Sequence, residues 1–154
     1  MMMKEEDYTE KIVRKIYSKQ LPELVLFVVH TIGNVGKVER VDLTDKGEFL
    51  QCAISEIREG QTFKPHKHQP CQKTVYITQE AWVMIDGRME VKLYDINDSY
   101  LETVILNSGD CLITFYGGHE YKCLRATTAY EFKNGPYFGQ EYDKVFIKGV
   151  GNGK

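Results

Sequence analysis

Hydrophobic and polar positions follow two different periods along this chain. Near the start, Tyr8, Ile12 and Ile16 recur every four residues, with Val13 and Tyr17 beside them. This spacing places them on one stripe of an α-helix. Pro22 cannot continue such a helix. We therefore predict a short N-terminal helix within residues 1–21, with its apolar stripe facing the core.

After Pro22 the period falls to two. Met89, Val91 and Leu93 alternate with charged residues, which predicts a strand with one buried face. Asp86-Gly87 separates two apolar runs and predicts the tight turn of a β-hairpin, which needs a positive φ. About ten such strands, spaced by turn signals roughly every 8 to 12 residues, favour an all-β sandwich or barrel.

The chain has 154 residues, which suits one domain. We assign residues 22–148 to a single β-barrel domain and residues 149–154 to a flexible C-terminus. The net charge is −2 and the pI is about 6.1. Without a basic excess, nucleic acid and anionic membrane surfaces are not expected partners.

Cysteine usage and hydropathy indicate a cytoplasmic protein. None of the four cysteines forms a CxxC pair, so a structural zinc knuckle is not expected. The charged N-terminus lacks the apolar core of a signal peptide. The most apolar run, residues 24–32, is far shorter than the roughly 20 residues of a membrane-spanning helix.

The stretch "PHKHQP" (residues 65–70) holds two of the four histidines. On a strand, His66 and His68 would project from the same face, where two imidazoles can bind one metal ion. Glu80 and His119, supplied by other strands, would complete a ligand set for a divalent first-row metal.

Two motifs in this chain resemble those of the cupin family. The first is "GQTFKPHKH" (60–68) followed by "EAWVMIDG" (80–87), and the second is "GDCLITFYGGH" (109–119). The resemblance covers about residues 48–148. It implies an all-β cupin barrel, also called a double-stranded β-helix or jelly roll.

By this resemblance, the metal ligands would be His66, His68, Glu80 and His119. Their metal would be a divalent ion, with Zn, Fe, Mn and Ni as alternatives, because similar ligand sets accept several metals. We also expect a homodimer that binds a small-molecule ligand.

The chain departs from the family pattern in several places. Eleven residues separate the histidine pair from Glu80, more than the family's short gap, so Gln72 and Gln79 are alternative ligands. Phe115 stands where the family has proline, and His119 comes one residue early.

Further residues are candidates for contact with a substrate. If His119 points inward, alternation also brings Tyr121, Cys123 and Arg125 inward, and the Arg125 guanidinium would suit a carboxylate or phosphate. Trp82 would fill the barrel or stack on a flat ligand. Other candidates for substrate binding or proton transfer are Lys73, Tyr76 and Tyr116.

Three functions remain open, because one fold hosts many activities. The first is a metal-dependent cupin enzyme that performs isomerase, lyase or oxygenase chemistry on a small polar substrate, sugar-like or carboxylate-bearing.

The second is a metal-independent sugar-nucleotide epimerase or ketoisomerase of polysaccharide biosynthesis. Its base would be His66 or His68 and its acid Tyr76, Tyr116 or Tyr121. The third is a cupin that binds a small ligand without catalysis. Convergence of Glu80 with the histidines would favour the metal enzyme.

Overall fold

The computed structural model of the protein describes residues 13–32 and 40–148. These residues form eight strands and one short helix, which confirms the all-β prediction. In chain order they are β1 (Val13–Tyr17), β2 (Val25–His30), β3 (Arg40–Asp42), β4 (Ala53–Ser55), β5 (Glu80–Tyr94), β6 (Tyr100–Asn107), β7 (Cys111–Thr114), β8 (Gly118–Lys133) and α1 (Gln140–Asp143).

Six strands form one antiparallel sheet in the order β1-β2-β7-β5-β6, with β8 paired to β5. β7 pairs with the first part of β5, and β6 pairs with the second part of the same edge. β8 pairs along the other edge of β5 from Glu80 to Tyr94. Strands β3 and β4 form a separate two-stranded sheet.

The β5–β8 ladder is strongly curled. A straight strand would separate Glu80 from Leu93 by about 43 Å, since each residue advances it by about 3.3 Å. His119 is the partner of Leu93 in the ladder, yet its Nε2 lies 2.8 Å from Oε1 of Glu80. The two ends of β5 therefore meet, and the large sheet is a curled half-barrel.

Gly87 lies where the ladder bends. Its φ is 118°, and a Cβ there would lie 2.4 Å from Oγ1 of Thr127 and 2.7 Å from the carbonyl oxygen of Ala126. The pairing register shifts on both sides of Asp86. Such bulges bend a strand and increase its twist.

The predicted hairpin at Asp86-Gly87 is therefore wrong, because β5 continues through both residues. Gly87 does adopt a positive φ, but it lies in a β-bulge where β8 comes close to its backbone, and not in a turn. The predicted alternation beyond it is confirmed, since Met89, Val91 and Leu93 are all buried.

The predicted N-terminal helix is also wrong where the structure describes it. Val13–Tyr17 is strand β1, paired with β2; residues 1–12 lie outside the described residues, as do residues 149–154. Val13 and Ile16 project from opposite faces of β1 and are buried in different clusters. Because both faces of β1 are buried, its apolar residues do not alternate with a period of two, and their spacing resembles that of a helix.

The core consists of two clusters on the two faces of the large sheet. Along β2, Phe27 and Val29 enter one cluster, whereas Val28 enters the other. The first core cluster comprises Ile16, Leu26, Phe27, Val29, Met84, Met89, Val91, Leu93, Val104, Leu106 and Leu112. The second core cluster comprises Val13, Val28, Val41, Leu43, Ala81, Cys111, Ile113 and Phe115.

After β8 the chain folds back along the sheet. Thr78 hydrogen-bonds to Asp143 of α1, and Ile147 lies against Gly118. No helix within the described ranges has the length and apolar character needed to cross a membrane.

Replacing Gly87 with alanine tests the bend. We expect Gly87→Ala to lower the free energy of unfolding by more than about 2 kcal/mol, because the new Cβ meets β8 backbone and the residue keeps a positive φ. Urea denaturation followed by circular dichroism measures the loss.

The matched control is Gly47→Ala, where no atom of the described residues lies within 4 Å of the added Cβ. We expect this change to stay within about 0.5 kcal/mol of the wild type. Equal effects of the two substitutions would contradict a special role for Gly87.

Candidate functional site

The candidate site is centred on Glu80 and His119. Glu80 begins β5, and His119 is the second residue of β8. The curl of the ladder places Nε2 of His119 2.8 Å from Oε1 of Glu80. The side chain of Glu80 is only 8% exposed and that of His119 is 21% exposed. The pair thus sits inside the curled sheet with one partly open side.

Two further groups hold the Glu80 carboxylate. The indole N–H of Trp82 donates to Oε1 over 3.3 Å, and Nζ of Lys133 lies 3.8 Å from Oε2. Lys133 also pairs with Glu131 at 2.8 Å. These contacts fix the carboxylate and leave Lys133 bridging two acidic residues.

The environment keeps Glu80 ionised. Burial alone would raise the pKa of this carboxyl group, but the hydrogen bond and charge of His119, with Lys133 and Lys144, outweigh burial and lower the pKa to about 2. A permanent carboxylate orients the histidine, because in either protonation state of the ring Nε2–H can donate to it.

Three buried polar atoms surround this pair without a hydrogen-bond partner among the described residues. They are Nδ1 of His119, the hydroxyl of Tyr121 and Oγ1 of Thr114. The rings of His119 and Tyr121 have centroids 4.9 Å apart, and Thr114 pairs with Glu80 in the sheet. The hydroxyls of Tyr121 and Thr114 still lie close enough to interact, since Thr114 lowers the pKa of the Tyr121 phenol. Nδ1 of His119 is therefore the unsatisfied atom of this group, and a buried polar atom without a partner is costly.

Tyr121 is held as a neutral phenol. Burial, followed by the charge of Glu80, raises its pKa above the ordinary value. Its ring packs on Trp82, with centroids 4.8 Å apart, and Trp82 also contacts the first core cluster. Trp82 therefore packs between Tyr121 and the first core cluster on the curled sheet.

The histidine pair of "PHKHQP" lies elsewhere. His66 and His68 belong to an exposed segment, residues 56–76, and not to a strand. The expectation that they project from a strand face is therefore wrong. Their rings lie close together, with centroids 5.7 Å apart, and Nδ1 of His66 lies 2.9 Å from the carbonyl oxygen of Lys64.

The predicted four-residue metal ligand set is not assembled. Across residues 13–32 and 40–148, no group of three or more His, Cys, Asp or Glu side chains is placed to hold a metal ion. Glu80 meets His119, but His66 and His68 do not join them. The arrangement as it stands does not fit a bound metal, and no chemical step is assigned to one here.

The alternative ligand Gln79 is already engaged. It is fully buried, its Oε1 accepts from the backbone N–H of Leu50, and its Nε2 donates to Glu48 over 2.6 Å. Gln72 is exposed. Neither residue lies in the group around His119.

The other predicted contact residues are dispersed. Tyr116 hydrogen-bonds to Glu48, and burial, the Tyr76 hydroxyl and the Glu48 charge raise its pKa to about 12. Tyr76 stacks edge-on against Phe49, and Lys73 is exposed.

Cys123 and Arg125 do not point inward as alternation predicted. Both are exposed, and Arg125 pairs with Asp86 at 2.9 Å. A register shift separates the Met89–Cys123 pair from the Arg88–Arg125 pair, so the alternation that begins at His119 is interrupted before Arg125. The pairing does not explain the exposure of Cys123.

Sequence reasoning missed Thr114, Lys133 and Lys144. Thr114 and Lys133 are the two sheet partners of Glu80, so only strand pairing reveals them. Thr114 lies inside the motif at residues 109–119, but the motif gives it no role, and Lys133 and Lys144 lie in neither quoted motif.

Comparisons with known proteins found no match to this chain among family models, curated proteins or solved structures.

The depressed pKa of Glu80 predicts a pH dependence of stability. A carboxyl group whose folded pKa lies below its unfolded value of 4.5 stabilises the fold above pH 4.5, and that contribution is lost as the pH falls towards 2. The stability difference between the wild type and Glu80→Gln should therefore be largest above pH 4.5 and should shrink below it. Urea denaturation at several pH values measures this difference.

The control is Glu102→Gln, which removes an exposed ion pair with Arg14. Exposed pairs contribute less than about 1 kcal/mol, so this variant should follow the wild type. A Glu80→Gln difference that does not change with pH would contradict the assigned ionisation.

Proposed function

We propose that this chain is a cupin-like enzyme that moves a proton on a small polar, sugar-like or carboxylate-bearing substrate. The observation that carries the proposal is the Glu80–His119 pair, with the unpartnered Nδ1 of His119 and the ring of Tyr121 beside it. Catalytic acids and bases of this kind are recognised by geometry first and by pKa second.

His119 is the proposed base. When Nε2–H donates to Glu80, a neutral ring presents its lone pair at Nδ1. A carboxylate that holds the far nitrogen fixes the tautomer and stabilises the imidazolium after proton capture, as in other carboxylate–histidine pairs. Nδ1 would take a proton from the substrate carbon next to a carbonyl group.

Tyr121 is the proposed acid. Because burial and Glu80 raise its pKa, the phenol stays protonated and can donate to the carbonyl oxygen as negative charge develops there. Return of the proton to the neighbouring carbon, or to the other face of the same carbon, would complete an isomerisation or epimerisation. In either case a hydroxyl of the enol intermediate would give its proton back to the Tyr121 phenolate as the carbonyl group forms again. The roles thus shift from the predicted His66 or His68 to His119, while Tyr121 remains the acid.

Solvent exchange tests this function. In D₂O, the protein should incorporate deuterium next to the carbonyl of a substrate from a panel of keto-sugar nucleotides and 2-oxo acids, observed by proton NMR. His119→Gln and Tyr121→Phe should each lower the exchange rate by about 10²- to 10⁴-fold.

The matched control is Tyr100→Phe, since Tyr100 is exposed and its hydroxyl hydrogen-bonds to Thr103, which is not part of the Glu80–His119 group. This variant should exchange at the wild-type rate. Ligand binding without exchange would indicate the non-catalytic binding protein, and unchanged exchange in the His119 and Tyr121 variants would contradict the proposed roles.

Metal binding is a second proposal, supported by the proximity of the His66 and His68 rings and by the Glu80–His119 contact. It requires the exposed segment to bring the histidine pair to Glu80. The divalent ion would be Zn, Fe, Mn or Ni, held by His66, His68, Glu80 and His119.

Elemental analysis of chelator-free protein tests the second proposal. Stoichiometric metal in the wild type, lost in both His66→Ala and His119→Ala, would support one shared site. Loss in His66→Ala alone would place any metal on the exposed segment and would remove it from the Glu80–His119 pair. No metal after reconstitution would contradict the proposal.

Location and assembly complete the proposal. A cytoplasmic location is supported by the four free thiols, which suit a reducing compartment. The predicted homodimer stays a prediction; exposed aromatic residues at the C-terminal end, including Tyr137, Phe138 and Phe146, offer surface of the kind found in interfaces.

A further inference from the structure

A strap formed by residues 137–147 follows β8 and returns to the start of β5. Within the strap, Asp143 hydrogen-bonds to Thr78. Thr78 lies two residues before Glu80, so this contact anchors the strap beside the carboxylate of the candidate site. The next residue, Lys144, is close enough for its charge to act on Glu80 and to contribute to the low pKa of that carboxyl group.

The strap is also anchored beside the histidine of the site. Ile147 lies over Gly118, where an added Cβ would be 2.5 Å from Cδ1 of Ile147. Gly118 directly precedes His119, and the lack of a side chain at residue 118 leaves room for the strap at the start of β8. Both members of the candidate pair therefore have a strap anchor close to them in the chain.

A third contact places the beginning of the strap near the same carboxylate. Nζ of Lys133 lies 3.8 Å from Oε2 of Glu80 and 5.7 Å from the ring centroid of Tyr137. A cation over an aromatic ring is attracted to it. The strap thus begins near Glu80 and ends near His119, which are the two groups that it has to cross to cover the site.

The strap is weakly held compared with the sheet. The four residues of α1 are exposed or only partly buried, and Val145 and Phe146 are 96% and 75% exposed. Segments with few buried contacts open at a lower free energy than the core of the same protein. The strap can therefore detach while the curled ladder stays folded.

We propose that the strap is a lid over the Glu80–His119 site, closed by its contacts with Thr78 and Gly118, and that it opens to admit the ligand. The lid rests on the proposed function, because it takes Nδ1 of His119 as the atom that the ligand must reach. This atom is buried and has no hydrogen-bond partner among the described residues. Closure over a bound substrate would exclude water and strengthen the electrostatic interactions inside the site.

Modification of the full chain with diethyl pyrocarbonate measures the opening, since this reagent acylates the free nitrogen of a neutral imidazole. Peptide mapping by tandem mass spectrometry follows the four histidines separately. His66 and His68 are exposed and give the unhindered rate, whereas His30 is buried and reports unfolding of the whole domain. In the wild type, His119 should react more slowly than the exposed pair, at a rate proportional to the open fraction of the lid.

Two substitutions weaken the two anchors separately. Thr78→Val removes the hydrogen bond to the strap and changes no charge. It should raise the rate at His119 about fivefold, the factor expected for one hydrogen bond, and should leave the rate at His30 unchanged. Ile147→Ala should also raise the rate at His119 alone. Its matched control is Val145→Ala, which shortens an exposed side chain of the same strap and should react as the wild type does.

Three results would overturn the lid. They are a wild-type rate at His119 equal to that of the exposed pair, an unchanged rate at His119 in both strap variants, and a parallel rise at His30, which would indicate unfolding of the whole domain. Modification requires no turnover. If the expected modification pattern appears but no substrate exchanges deuterium, the lid is supported and the proposed function is contradicted.

Discussion

The curl of the β5–β8 ladder is the constraint on which the site and the core both depend. Glu80 and Leu93 lie near opposite ends of one strand, but the contact between Glu80 and His119 requires those ends to meet. The bend is possible because residue 87 has no side chain, so that β8 can approach its backbone. A flat ladder would leave a buried carboxylate without its partner, at a large cost in free energy.

The same curl gives the sheet two distinct faces. Trp82 and Tyr121 pack with the first core cluster, and they bring the polar group of Glu80 and His119 against an apolar wall. Such a wall strengthens electrostatic interactions by excluding water. The other face carries the second core cluster, so each face of the sheet packs against its own set of apolar side chains.

Local patterns predicted those parts of the fold that depend on one strand alone. The alternation of Met89, Val91 and Leu93 identified a buried face correctly, and Gly87 was recognised as a residue that needs a positive φ. Gly87 lies in a bulge and not in a hairpin turn because Thr127 of β8 packs against it. Thr127 is forty residues later in the chain, so no local sequence pattern could show this contact. The helix predicted from Val13 and Ile16 was wrong for a related reason, since the two side chains are buried in different clusters on opposite faces of β1.

At the site, the spacing of the motifs selected Glu80 and His119, which do contact each other. It could not reveal Thr114 and Lys133, because these residues are neighbours of Glu80 only through strand pairing. The histidine pair at residues 66 and 68 was assigned to a strand that the structure does not contain.

A double-mutant cycle on Glu80 and His119 tests the central claim most directly. The free energies of unfolding of the wild type, Glu80→Gln, His119→Gln and the double variant are measured at pH 6. If the two ends of β5 meet, the substitutions should be coupled by about 1 to 3 kcal/mol, as for residues in one hydrogen-bonded pair. Effects that add within about 0.5 kcal/mol, the behaviour of distant residues, would show that Glu80 and His119 do not touch and would contradict the curled ladder and the site built on it.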